Sequence, residues 1–334
     1  MKFQTAALAA MITAASALSA EAAPLDKDTE NRLQQLSKEQ KVSLRLLEDA
    51  VSQAIYQPKI IETITKPWEA KPWYQYEKLF MTEKRITEGA GFLKKHLPIF
   101  LRAEKAFGVE KEVIAAIIGV ETFYGTRMGD WRILDALYTL GFKYPKRAPY
   151  FSKEFANFVK LSHSQNWNYD ERKGSYAGAM GMGQFMPSSY IHYAVDFDGD
   201  GFTDLFFSTG DAIGSVANYF KNSKWKYGEP VACQVNVPDR SKIAGLLNKK
   251  LATNTTWGKL QQLGVEPSDG TSSFKSQQPV KLLELDGENN TKIYFAVMPN
   301  FISITRYNTS PLYAMAVYEL SQAIKAEFQS DKRP

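Results

Sequence analysis

With one cysteine, Cys233, and three histidines, His96, His163 and His192, among 334 residues, the chain cannot close an internal disulfide. A zinc site built from Cys and His is not expected from so few and scattered ligands. Cys233 reads most simply as a small core residue, because no histidine is placed beside it to serve as its base. Dense basic runs are missing too. Lysine and arginine total 41 against 36 acids, a net charge of +5, so nucleic acid is not the expected partner, although an anionic polymer is compatible with the balance. At 44% hydrophobic and 23% charged residues, the composition fits neither a disordered chain nor a multi-span membrane protein. No internal repeat is visible.

Residues 1 to 23 open with Met1-Lys2, continue through an Ala-rich apolar run from Ala6 to Ala20, and end on Ala20-Glu21-Ala22. Small residues at that spacing predict a secretory signal peptide at 1–22. The run is too short and too rich in alanine for a convincing membrane span, and no cysteine follows it to carry a lipid. A soluble periplasmic protein is expected.

Along the mature chain, Leu33, Leu36, Leu44, Leu47, Val51 and Ile55 recur at helical intervals between Thr29 and Tyr56. Pro58, Pro67 and Pro72, with Trp68, Trp73, Tyr74 and Tyr76 among them, predict an irregular aromatic strap. Helical patterning resumes at 87–108, with a break at Pro98, and continues at 113–124, 152–163, 211–221 and 311–328. The last begins with Ser310 as N-cap and Pro311 as first helical residue. From Val231 to Arg306 short runs around Val235, Val280, Tyr294, Ile302 and Ile304 read as extended. The expectation is a mainly α (α+β) protein: a helical region at 23–230, a small β-containing subdomain at 231–306, and a C-terminal helix at 307–334 returning to the body.

Two motifs carry chemistry. In Val113-Ile114-Ala115-Ala116-Ile117-Ile118-Gly119-Val120-Glu121, an acid stands where the apolar face should continue, since Ile114, Ile118 and Glu121 share one side of a helix. A carboxyl among apolar walls has its charged form disfavoured and keeps its proton near neutrality, as a general acid must. A structural glutamate held by an arginine or a cap fits the same pattern. Ser175 to Ser188 contains three glycines and two alanines that permit close backbone approach, while Ser175 and Gln184 offer neutral hydrogen bonds to sugar hydroxyls or amides. A tight helix-packing turn is the plainer reading, and no P-loop is present.

Taken together, Gly119-Val-Glu121-Thr-Phe-Tyr-Gly125, the Ala-Gly-Ala-Met-Gly-Met-Gly-Gln-Phe-Met-Pro-Ser block, Asp211-Ala-Ile-Gly-Ser-Val-Ala-Asn-Tyr219 and Arg306-Tyr-Asn-Thr-Ser-Pro-Leu-Tyr313-Ala-Met-Ala-Val resemble the membrane-bound lytic murein transglycosylase B family. The resemblance runs from about Trp73 to Ala323. It implies a lysozyme-like helical catalytic body that cleaves the β-1,4 bond between N-acetylmuramic acid and N-acetylglucosamine of peptidoglycan without water, leaving a 1,6-anhydromuramoyl end, with Glu121 as acid and then base. It places Tyr76, Ser175, Gln184, Phe185, Tyr219, Tyr307, Asn308 and Tyr313 in the glycan cleft. It also aligns Lys146-Arg147 with a basic pair for the peptide stem; on the residues alone a solvated basic turn is the better reading of that pair. Peptidoglycan strands are the implied partner, with cell-wall synthesis complexes beyond them, and a monomer is expected. A hydrolytic muramidase, a non-catalytic peptidoglycan binder and a calcium-dependent adhesin remain open.

Asp196-Phe-Asp198-Gly-Asp200-Gly201-Phe202 supplies acids at positions one, three and five of a calcium loop, glycine at six and a carbonyl at seven. Phe207 stands where the closing glutamate belongs. The family's loop is closed by a later aspartate, matched here by Asp211, which gives a calcium-capable site (sodium being the other ion) at Asp196, Asp198, Asp200, Phe202 and Asp211. A plain Asp/Gly turn is the alternative. No cofactor is expected for the chemistry.

Overall fold

The computed structural model describes residues 25–66, 71–247, 250–270 and 274–330. The signal-peptide reading of 1–22 lies outside them, as do Pro67 and Trp68. The chain begins with helices α1 (Lys27–Gln40), α2 (Leu44–Gln53), α3 (Pro58–Ile64), α4 (Trp73–Phe80), α5 (Glu83–Lys95), α6 (Leu97–Phe107) and α7 (Lys111–Thr122). Strand β1 (Trp131–Arg132) leads into α8 (Ile133–Phe142) and α9 (Ala148–Ser164), and β2 (Lys173–Gly174) pairs back on β1. Then come α10 (Pro187–Tyr193) and α11 (Thr209–Asn222).

The region predicted as an irregular strap is helical on both sides of the undescribed residues. Pro58 and Pro72 sit at the first turn of α3 and immediately before α4, where a missing N–H costs nothing. Trp73 and Tyr76 are buried, which a surface strap would not explain.

A five-stranded antiparallel sheet follows, built from β3 (Ala232–Asn236), β4 (Thr255–Thr256), β5 (Glu266–Pro267), β6 (Pro279–Asp286) and β7 (Lys292–Val297), in the order β4-β6-β7-β3-β5. Two short helices, α12 (Arg240–Ile243) and α13 (Trp257–Gln262), cover it. Alternation divides β6 between two cores. Val280 and Leu282 join Val235, Trp257 and Leu260 in a small cluster, whereas Leu283 and Leu285 face the main core. One face of the sheet therefore seats on the helical body.

Ile302 and Ile304, read as extended, belong instead to helix α14 (Pro299–Tyr307). Pro299 at the first turn starts that helix, and Phe301 and Ile304 bury one face, a three-residue spacing that short apolar runs hide. The chain ends in α15 (Pro311–Ser330). Its start is fixed as predicted: Ser310 Oγ accepts from the Tyr313 amide at 3.4 Å, and Asn308 Oδ1 accepts from the Ser310 amide at 3.0 Å. Helix α15 packs on α7 and α5, and α7, apolar on nearly every side, lies at the centre with residues 113–119 all buried. Among the described residues no helix is long and apolar enough to cross a membrane.

Candidate active site

Glu121 occupies the last turn of α7, where the unpaired carbonyls of the helix end already disfavour negative charge. The chain then reverses abruptly. Phe123, Tyr124 and Gly125 all take left-handed backbone angles, with φ of 51°, 59° and 86°, a costly run of the kind that concentrates at functional sites. Tyr124 folds back across the helix to donate to the Arg85 carbonyl at 2.7 Å. Gly119 makes room for it, since a Cβ there would stand 2.7 Å from the tyrosine ring.

The long-range partner of Glu121 comes from the far end of the chain. Tyr313, in the first turn of α15 and 3% exposed, donates its hydroxyl to Glu121 Oε1 at 2.5 Å. Burial pushes the Glu121 carboxyl up to about 7, and the Tyr313 hydroxyl bond draws it part of the way back. Among the described residues no arginine and no cap holds the acid. Burial pushes both Tyr307 and Tyr313 well above the usual phenol range, the negative charge that Glu121 carries when ionised adds to it, and Tyr76 acts on Tyr313 in turn. Tyr307 and Tyr313 are thus gathered about one carboxyl, with Tyr76 beside Tyr313.

The glycine-rich block forms a tight loop beside it. Met180 and Phe185 pair across the loop through backbone bonds of 2.9 Å in both directions, and Gln184 at the tip has φ of 51°. Thr122, next to Glu121, donates to the Met182 carbonyl at 2.8 Å and ties the loop to α7. Gln184 Nε2 donates to the Met128 and Gly181 carbonyls at 3.1 and 3.0 Å, and Ser175 Oγ accepts from the Ala177 and Ala179 amides at 3.2 and 3.0 Å. Both polar side chains predicted for ligand contact also pin their own loop. Tyr307 donates to the Gly183 carbonyl at 2.5 Å, and a Cβ at Gly183 would crowd that hydroxyl at 3.0 Å.

Phe185 is buried and props an aromatic wall rather than forming its surface. Its ring lies 5.8 Å from Tyr219 and 5.9 Å from Tyr307, and those two are 4.6 Å apart. Tyr219 donates to the Arg306 carbonyl at 2.6 Å. Sequence reasoning missed two members of the wall. Tyr193 packs on Tyr219 at 4.7 Å, and Tyr150 acts on the Tyr219 phenol. Tyr150 also carries the Arg147 guanidinium over its ring at 5.0 Å, which links the exposed basic pair Lys146-Arg147 to the wall. Its position three residues beyond Arg147 was the available signal. Asn308, half-buried, spends its side-chain oxygen on the start of α15.

At the N-terminal end of α11, carboxylate oxygens of Asp196, Asp198 and Asp211 lie within 4.8 Å of one another. Gly199 and Gly201, with φ of 84° and 92°, turn the loop around them. Asp211 is fully buried and closes the loop by accepting from the amides of Phe197 at 2.7 Å, Asp198 at 3.2 Å and Asp204 at 2.7 Å. Asp200 stands outside this trio and accepts from the Phe202 amide at 2.8 Å. Converging hard oxygens of like charge suit a calcium-sized cation.

The family model of the transglycosylase SLT domain matches residues 26–322. The chain is 44% identical over 252 residues to membrane-bound lytic murein transglycosylase B of Escherichia coli, spanning 75% of this chain and 67% of that protein. Its fold superposes on the lytic transglycosylase SltB1 of Pseudomonas aeruginosa with a TM-score of 0.82 and 38% identity, covering 90% of this chain and 98% of the other. A lytic transglycosylase of Escherichia coli in complex with calcium superposes with a TM-score of 0.78, again at 38% identity, covering 90% and 93%. A buried acid, a tyrosine returned to it from 192 residues away and a match over nearly the whole chain lead to one conclusion: this enzyme belongs to the SLT-domain transglycosylase family and has its lysozyme-like fold.

Proposed function

We propose that the protein cleaves the β-1,4 bond between N-acetylmuramic acid and N-acetylglucosamine in peptidoglycan without consuming water. The observation that carries this reading is the solitary acid: among the described residues only burial and the Tyr313 hydroxyl bear on the Glu121 proton, and no second carboxyl acts on it. A hydrolytic glycosidase needs a second carboxyl to attack or to activate water. Here the muramic C6 hydroxyl is the nucleophile, already tethered to the reacting sugar and favoured by proximity.

Glu121 gives its proton to the glycosidic oxygen as the C1–O bond breaks. The C6 oxygen closes on C1 and gives its proton to the Glu121 carboxylate, so the acid is regenerated and no atom is lost. Tyr313 steadies the carboxylate between these steps. Tyr219 and Tyr307 provide ring faces for the sugars and Tyr76 backs the cleft beside Tyr313, with Ser175, Gln184 and Asn308 at the loop edges, and Lys146-Arg147 meets the peptide stem. Asp196, Asp198 and Asp211 would hold calcium, whose binding would brace the loop before α11; Asp200 and the Phe202 carbonyl would complete its shell. The enzyme acts as a monomer in the periplasm, delivered by the segment 1–22, and meets cell-wall synthesis complexes there.

Digestion of purified murein sacculi followed by mass spectrometry tests the reading. The released muropeptides should carry 1,6-anhydro ends, lighter by one water than hydrolytic products, and none should appear with Glu121→Gln. Reducing ends in place of anhydro ends would make the protein a muramidase.

A further inference from the structure

Phe123, two residues beyond the acid, is ringed by cations. The guanidinium carbons of Arg85 and Arg127 each lie 5.0 Å from its ring centroid, and Lys84 Nζ lies 5.8 Å away. Arg85 is 8% exposed and also lies 5.1 Å from the Phe80 ring. It donates to the Leu79 carbonyl, yet its buried Nε has no hydrogen-bond partner. Neither Arg85 nor Arg127 makes an ion pair among the described residues; Lys84 meets Glu88 at 3.7 Å, both largely exposed. Ring faces attract cations modestly but do not neutralise them. Two guanidiniums crowd one ring with no counter-charge, and burial together with Arg127 makes Arg85 harder to keep charged.

The left-handed run at residues 123–125 builds this arrangement. It brings the Arg127 amide back to the Thr122 carbonyl at 2.9 Å and leaves the Arg127 side chain exposed. The cluster adjoins the cleft on two sides. Phe80 packs on Tyr76 at 5.2 Å, and Met128, the residue after Arg127, receives the Gln184 amide.

We propose that Lys84, Arg85 and Arg127 form a carboxylate-binding site around Phe123, which takes an acidic group of the peptide borne by the muramic acid. This rests on the glycan-cleaving reading and adds a second contact with the peptide, separate from the one given to Lys146-Arg147. Arg127 supplies the accessible planar fork for the carboxylate, Lys84 a mobile charge, and Arg85 a fixed field from below. A phosphate would satisfy the same cations, so the source must be separated by experiment.

Calorimetric titration of the full chain carrying Glu121→Gln, which prevents turnover, compares a peptide-bearing muroglycan oligomer with the same oligomer stripped of its peptides by an amidase. Adding Lys84→Gln and Arg127→Gln should weaken the first at least tenfold and the second less than twofold, and Arg127→Lys alone should not restore tenfold binding. Both substituted side chains are exposed, and an unchanged melting temperature verifies the fold. Equal losses for both oligomers, no loss for either, or displacement by inorganic phosphate with peptide-bearing binding unaffected by the substitutions would overturn the proposal. Failure of the glycan-cleaving reading shows separately, as missing anhydro ends in the wild-type digest.

Discussion

The end of α7 and the loop before α11 handle carboxyl groups in opposite ways. Glu121 is withdrawn from water with one hydroxyl donor, so its environment favours the proton. Asp196 and Asp198 are exposed and their oxygens accept backbone amides, at 2.8 and 2.9 Å for Asp196. Donor count and water access separate an acid that transfers a proton from acids that can gather around a cation. The sharpest break of this contrast is Glu121→Gln. Removing the proton donor should lower bond cleavage of sacculi by roughly a thousandfold or more, within the ordinary range of a general acid, whereas Asp196→Asn should leave cleavage within about twofold at 25 °C.

Stability against pH sharpens it further. The carboxyl of Glu121 is raised in the folded state, so folding is fully supported below about 4.5, the unfolded value, and support is lost as pH climbs through about 7. Glu121→Gln should therefore be more stable than wild type at pH 8 by up to about 3 kcal/mol, and no more stable at pH 4. Denaturant melts at the two pH values measure the difference; a gain that is the same at both would mean an unperturbed acid. Tyr313→Phe removes the one bond that favours the ionised form, so the alkaline limb of the pH–rate profile should move upward from its wild-type position near 7. A downward move would show that the tyrosine does not stabilise the carboxylate. The smallest effect belongs to the other region. Saturating calcium should raise the wild-type melting temperature by a few degrees, and Asp196→Asn should abolish that rise.

Both regions announced themselves in the sequence, for different physical reasons. Glu121 broke an apolar helical stripe, and Asp196, Asp198 and Asp200 stood at every second position with Gly199 and Gly201 beside them; neither signal requires knowledge of distant contacts. Tyr313 and Tyr307 could not be gathered around Glu121, nor Tyr76 set beside Tyr313, by local pattern, because that depends on α15 returning against α7, and only the family resemblance brought them forward. Proline misled where it starts helices: Pro58 and Pro299 sit in the first turns of α3 and α14, and Pro72 stands just before α4, whereas a strap or strand was expected. Arg85 and Arg127 carried no signal, since their convergence on Phe123 depends on three successive left-handed residues of which only Gly125 looks like a turn former.

The central claim is that Glu121 holds its proton near neutral pH in the resting enzyme. Carbon-13 NMR of protein labelled at glutamate side-chain carboxyls, with Glu121→Gln to assign the resonance, reads that titration directly. A midpoint near 7 is predicted, and a midpoint near 4.5, the value of an ordinary glutamate, would contradict the account.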